Sequence, residues 1–87
     1  DNARHANASA LAFAQAIDGL EGVELAWPVQ SNAAFVLMPE RVANALRARG
    51  WRFYTQFGNV YRFMFAWDAQ ADSIAALAAD LRHSIRE

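Results

Sequence analysis

The sequence contains neither cysteine nor lysine, and each absence narrows what the chain can be. Without cysteine there is no disulfide framework and no thiolate metal site, which is compatible with a cytosolic compartment. The eight basic residues are all arginines, and with nine acidic residues the net charge is −1, so the chain has no strong field for nucleic acid or an anionic membrane. The longest apolar runs, AAFVLM and IAALAA, are far shorter than the roughly 18 residues that span a bilayer. We expect a cytoplasmic protein that binds neither nucleic acid nor membrane.

Apolar residues, by contrast, are abundant. Hydrophobic residues make up 55% of the chain and aromatic residues 13%, against a usual apolar share of roughly 45–50%. A chain of 87 residues forms one domain with a small core. Folding of so short a chain buries only about 60% of the surface that the unfolded chain exposes. We therefore expect some apolar surface to meet a partner. The chain also starts without methionine inside a helix-forming stretch, so we expect it to be part of a longer protein.

Three segments have the periodicity of amphipathic helices. The first covers residues 3–20, where glycines at 19 and 22 end it, and the second runs from near Pro39 to Gly50. The third begins after Asp68, which is predicted to be its N-cap, with Asp72 in the first turn complementing the helix dipole. The predicted inward residues are Ala6, Ala10, Phe13, Ile17 and Leu20, then Val42, Ala45, Leu46 and Arg49, then Ile74, Leu77, Ala78, Leu81 and Ile85.

Four segments between the helices are predicted strands. GVELAWPV alternates, with Val23, Leu25 and Trp27 directed inward, and AAFVLM is continuously apolar, as in a strand covered on both faces. WRFYTQ and VYRFMFAW flank FGN and form the arms of a hairpin. The predicted order is α-β-β-α-β-β-α. This order indicates an α+β two-layer sandwich, with a four-stranded, mostly antiparallel sheet and helices on one face.

One arginine, Arg62, lies in the middle of the last predicted strand. Strand alternation separates the segment into two faces: Val60, Arg62, Met64 and Ala66 on one, and Tyr61, Phe63, Phe65 and Trp67, packed under the helices, on the other. A desolvated arginine needs water or an anion, and its planar fork of donors fits a carboxylate. Two interpretations remain open from the residues alone. Arg62 either binds a ligand, or it is an edge-strand residue that reaches solvent over Met64 or pairs with a glutamate.

Three stretches, ELAWPVQSNAAFVLMP, LRARGWRFY and VYRFMFAWD, resemble the C-terminal small domain of the low-specificity L-threonine aldolases, including phenylserine aldolases. These are pyridoxal-phosphate lyases of the aspartate-aminotransferase fold type, and the resemblance runs from about residue 3 to residue 86. It implies that residues 1–87 form the C-terminal small domain of a larger enzyme. The implied partners are the large cofactor-binding domain of the same enzyme, an amino acid substrate, and further copies in a homodimer or homotetramer.

The resemblance implies a retro-aldol cleavage of threonine-like β-hydroxy-α-amino acids to glycine and an aldehyde. By position, Arg62 matches the family's anchor for the substrate carboxylate, and Asn32 is a weaker substrate-binding candidate. The alternative for Asn32 is a turn residue that bonds its own backbone. The family's Schiff-base lysine belongs to the large domain, so this chain is expected to contain no catalytic, cofactor-binding or metal-binding residue and to be inactive alone.

Other residues admit functional interpretations beside ordinary packing. Trp51, Arg52 and Tyr54 could form a rim of the substrate cleft, although packing of the hairpin explains them as well. His5 and His83 are too far apart to suggest a metal pair. A stand-alone ligand-binding or interaction module without catalytic activity is the alternative function. Its RNA-binding form uses the interleaved residues Arg41, Arg47, Arg49, Arg52, Trp51, Phe53, Tyr54 and Phe57.

Overall fold

The computed structural model describes residues 2–87 and confirms the predicted fold class. Three helices and four strands follow one another in the order α-β-β-α-β-β-α. The elements are α1 (Asn2–Ala16), β1 (Glu24–Leu25), β2 (Ala33–Leu37), α2 (Glu40–Ala48), β3 (Tyr54–Phe57), β4 (Val60–Met64) and α3 (Ala71–Arg86).

The four strands form one sheet in the order β1-β2-β4-β3, and each neighbouring pair is antiparallel. The strands β2 and β4 are therefore central, while β1 and β3 are the edges. The helices cover one face: residues of β2 and β4 that point to it, such as Val36 and Phe63, are buried. The result is a two-layer domain whose second sheet face is not covered by a helix of the described chain.

The core lies between the helices and the covered sheet face. Phe13 of α1 packs on Phe63 and Phe65, with ring centroids 5.1 and 5.4 Å apart. Leu46 of α2 and Leu81 of α3 are completely buried, and each such side chain contributes about 1.5–3 kcal/mol of hydrophobic stabilisation. The helical periodicity thus predicted the side of each helix that faces the core.

The ends and faces of two helices differ from the predictions. Ala43 rather than Arg49 completes the buried face of α2, because Arg49 is exposed and pairs with the carboxylate of Glu87. The prediction that Asp68 is the N-cap of α3 is wrong. Gln70 occupies the N-cap, and its side chain makes no capping hydrogen bond. Asp72 lies in the first turn of α3, as predicted.

Two tryptophans lie where strand alternation did not place them. The regular part of β1 is limited to Glu24–Leu25, and Trp27 turns to the face opposite the helices, where its ring lies 4.8 Å from that of Phe35. Trp67 was predicted to pack under the helices, but β4 ends at Met64 and Trp67 is 59% exposed. Both errors arise where the chain leaves the regular strand, since alternation holds only inside it.

Candidate functional site

The sheet face opposite the helices, here called the open face, carries large apolar side chains. In β4, Arg62 has two cross-strand neighbours on this face, Phe35 of β2 and Tyr54 of β3. Phe57 of β3 lies opposite Val60. Tyr54 and Phe57 are each 59% exposed, and other large hydrophobic residues of β2 and β4 on this face, Leu37 and Met64, are exposed as well. An exposed apolar patch of this kind marks an interaction site more often than an ordinary solvated surface.

Arg62 lies near the centre of the open face, between Phe35 of β2 and Tyr54 of β3. Its guanidinium carbon is 5.0 Å from the centroid of the Tyr54 ring. Its Nε atom is buried and has no hydrogen-bond partner among the described residues, and no carboxylate of residues 3–87 forms an ion pair with it. The interpretation of Arg62 as an edge-strand residue is wrong, because β4 is a central strand.

The surroundings of Arg62 favour an anion as its partner. A buried N–H group without a partner costs about 1–3 kcal/mol, and more when it is charged. A carboxylate accepts two parallel hydrogen bonds from a guanidinium, and apolar neighbours strengthen such a pair by excluding water. Arg62 can therefore bind and orient an anionic group that approaches the open face.

Asn32 does not bond its own backbone, as the turn interpretation required. Its side-chain amide donates to the carbonyl of Phe65 over 2.9 Å, while the Phe65 amide donates to the Asn32 carbonyl over 2.9 Å. These bonds join the loop before β2 to the end of β4. Because Phe35 lies opposite Arg62, Asn32 is three residues away along β2, a distance of about 10 Å in a strand. Asn32, in the loop before β2, and Arg62, in β4, are therefore not brought into contact.

Most of the other arginines that the sequence singled out are bound within the domain. Arg41 donates to the carbonyls of Ile85 and Glu87, each over 3.3 Å. Arg47 donates to the Phe53 carbonyl over 3.1 Å and stacks on the ring of Phe53. Arg41, Arg47 and Arg49 therefore have protein partners, whereas Arg52, Tyr54 and Phe57 of the same set are exposed.

Two of the remaining candidates, Trp51 and His5, have structural partners. The indole of Trp51 donates to the carboxylate of Asp80 over 2.7 Å, which joins the start of the hairpin to α3. His5 contacts the Ala69 carbonyl at 2.9 Å, and His83 is exposed on α3. No cluster of three acidic or histidine side chains suited to a metal ion occurs within the described part of the chain. Across the same residues, no helix has the length and hydropathy to cross a membrane.

Tyr54 is a residue whose placement the sequence left undecided. The hairpin has a turn at residues 58–59, and regular counting from it would place Thr55 opposite Arg62. The pairing instead shifts by one residue between Thr55 and Phe57, so Tyr54 lies opposite Arg62. A bulge of this kind has no clear sequence signal in this strand.

Comparison with known proteins adds a specific similarity. No family model matches the sequence. The low specificity L-threonine aldolase of Pseudomonas sp. (strain NCIMB 10558) is 43% identical over 82 residues, which cover 93% of this chain and 24% of that protein. This chain resembles part of the low specificity L-threonine aldolases. The enzyme of the same name from Pseudomonas aeruginosa is also 43% identical, over 92% of this chain and 23% of its own length.

The similarity confirms the resemblance inferred from the three sequence stretches. It extends over nearly the whole domain, including both central strands and the hairpin. The chain spans about a quarter of the length of the curated relatives it matches.

Proposed function

We propose that this chain is the C-terminal small domain of a larger lyase, which cleaves L-threonine and similar β-hydroxy-α-amino acids to glycine and an aldehyde. The similarity to two L-threonine aldolases over more than nine-tenths of the chain supports this proposal. The whole enzyme would use pyridoxal 5′-phosphate and assemble as a homodimer or homotetramer in the cytoplasm.

The residues of this chain do not fit the cofactor itself. Covalent attachment of pyridoxal phosphate needs a lysine amine, and the sequence has no lysine. The cofactor and the residues that react with it would therefore belong to the part of the enzyme outside this chain. What this domain contributes is substrate binding and a surface on which the rest of the enzyme rests.

The role proposed for Arg62 is to bind the α-carboxylate of the substrate. The observation that supports it is a cation on an apolar sheet face. Its Nε–H group is buried, and no described residue accepts a hydrogen bond from it. Hydrogen bonds between a guanidinium and a carboxylate contribute about 1.5–3 kcal/mol. Holding the carboxylate fixes the rotation of the substrate about its α-carbon, so the bond that breaks is held in the reactive orientation.

The open face would also be the contact surface for the large domain. Leu37, Phe57 and Met64 are exposed around Arg62, and covering them would stabilise the two domains against each other at about 25 cal/mol for each Å² buried. The same contact would exclude water from the guanidinium and so strengthen its bond to the substrate. Asn32, in the loop just before β2, is the weaker candidate for a second substrate contact.

Replacement of Arg62 in the full-length enzyme tests this role. In Arg62→Lys the charge remains but the planar fork is lost, and in Arg62→Met both are lost. We expect KM for L-threonine to rise by about ten- to a hundredfold in either variant, the loss of one charged hydrogen-bonded contact. Visible absorbance of the bound cofactor should be unchanged. Arg86→Lys, an exposed arginine in the last turn of α3, is the matched control and should behave as the unmodified enzyme.

A substrate analogue makes the test specific for the carboxylate. The unmodified enzyme should discriminate strongly against threonine amide, in which a neutral amide replaces the carboxylate. The Arg62→Met variant should lose most of this discrimination, because the group that distinguishes the two substrates is gone. Unchanged KM and unchanged discrimination in Arg62→Met would remove Arg62 from the substrate site.

A further inference from the structure

Tyr54 and Arg62 form a cation–π pair on the open face. Tyr54 lies directly opposite Arg62 in the β3–β4 pairing, and its ring centroid is 5.0 Å from the guanidinium carbon. The Tyr54 ring is 59% exposed, so it does not belong to the core. The position of the Tyr54 ring is therefore explained by its contact with Arg62 and not by burial in the core.

Stacking leaves the hydrogen-bonding capacity of a guanidinium intact. The guanidinium carbon lies over the Tyr54 ring, and a cation–π contact uses none of the hydrogen-bond acceptors that the N–H groups need, so these groups can still donate to an anion. An arginine held in this way has lost side-chain freedom before its ligand arrives, so less freedom is lost on binding. The donors also keep one fixed direction relative to the sheet.

A second arginine that lies over an aromatic ring, Arg47, differs from Arg62 in its hydrogen bonds. Arg47 lies 4.4 Å from the centroid of Phe53, and one of its terminal nitrogens donates to the Phe53 carbonyl and to Thr55 Oγ1. The Nε of Arg62, by contrast, is buried and has no hydrogen-bond partner among the described residues. Arg47 thus joins α2 to the hairpin, while Arg62 has the cation–π contact but leaves a buried N–H group without an acceptor.

We propose that Tyr54 is a positioning residue for Arg62: its ring holds the guanidinium on the open face so that the outward donors meet the substrate carboxylate in one orientation. The ring face performs this role, and the phenol hydroxyl is not needed. This inference rests on the proposed function of Arg62 and adds the residue that orients it. Phe35, opposite Arg62 on the other side, instead packs against Trp27.

Phe57 provides a matched control for Tyr54. Both residues lie in β3, both are 59% exposed, and both point to the open face. The ring of Phe57 stacks against that of Trp27, with centroids 6.1 Å apart, and the cross-strand neighbour of Phe57 is Val60 and not Arg62. Replacing each by leucine in the full-length enzyme therefore removes a similar area from the same surface and separates the contact with Arg62 from general packing.

In Tyr54→Leu we expect KM for L-threonine to rise by about two- to tenfold, the range of a partly desolvated cation–π contact. Discrimination between threonine and threonine amide should fall in the same variant. Tyr54→Phe should keep the KM and the discrimination of the unmodified enzyme, and Phe57→Leu should keep its discrimination. Tyr54→Thr, which retains a residue suited to a strand, is a second variant, and melting temperatures verify that each protein is folded.

The combination with Arg62→Met separates this inference from the proposed function. If Tyr54 acts through Arg62, adding Tyr54→Leu to Arg62→Met should raise KM no further. Normal kinetics in Arg62→Met would overturn the proposed role of Arg62 in substrate binding, on which this inference rests. A high KM in Arg62→Met together with equal effects of Tyr54→Leu and Phe57→Leu would overturn only the role of Tyr54. A loss in Tyr54→Phe as large as in Tyr54→Leu would also overturn it, because the hydroxyl would then be the active group.

Discussion

At the scale of single residues, the domain uses arginine where planarity matters. The guanidinium of Arg47 lies over the ring of Phe53 at 4.4 Å and over that of Tyr61 at 5.5 Å. One terminal nitrogen of the same group donates to the Phe53 carbonyl and to Thr55 Oγ1. A lysine ammonium cannot stack as a plane and bond in that plane at the same time.

The Arg47→Lys variant should therefore be less stable than the unmodified protein. We expect a loss of about 1–2 kcal/mol in the free energy of unfolding, from the stacking contact and the hydrogen bond to the Phe53 carbonyl. Urea unfolding of the full-length protein, followed through the transition that includes this domain, measures the difference. Arg52→Lys is the control, since Arg52 is exposed, and it should change stability by less than about 0.5 kcal/mol. Equal stability of the two variants would contradict the structural role of Arg47.

At the scale of elements, the hairpin β3–β4 determines which side chains surround Arg62. Its turn contains Gly58, whose φ of 51° lies in the left-handed region, where a side chain costs roughly 1–2 kcal/mol. The register shift between Thr55 and Phe57 then brings Tyr54 opposite Arg62. A change in the turn should therefore be detected at the proposed substrate site as well as in stability.

Substitution of Gly58 tests this dependence. Gly58→Ala should destabilise the domain by about 1–2 kcal/mol, because alanine disfavours positive φ. Gly58→Asn should cost less, since asparagine adopts the left-handed region more readily. Thermal unfolding and KM for L-threonine should change in the same order. Equal melting temperatures for the two variants would show that the turn conformation does not limit stability.

At the scale of the whole molecule, the domain has one face closed by helices and one apolar face open. The open face includes Leu37, Tyr54, Phe57 and Met64, all at least 36% exposed. Such a surface suits contact with a larger protein, and the chain spans about a quarter of its curated relatives. This surface is consistent with the proposed division, in which this domain orients the substrate and the cofactor chemistry takes place outside it.

The 87-residue chain produced alone should consequently have no lyase activity. It lacks the lysine amine that would attach the cofactor, so added pyridoxal phosphate should not restore cleavage of L-threonine. The measurement is the release of glycine, with the full-length enzyme at equal concentration as the positive control. Glycine release by the isolated chain would contradict the proposed division between the two parts of the enzyme.

The sequence by itself determined the order of elements, the buried side of each helix and the face on which Arg62 lies. Residues such as Phe13, Leu46 and Leu81 were predictable because helical and strand periodicities are local properties of neighbouring residues. The tertiary structure alone decided that Trp27 crosses to the open face, that Trp67 is exposed and that the Arg62 guanidinium lies over the Tyr54 ring. These placements depend on where strands end, on a one-residue shift in register and on packing between distant segments, and none of these has a local sequence signal.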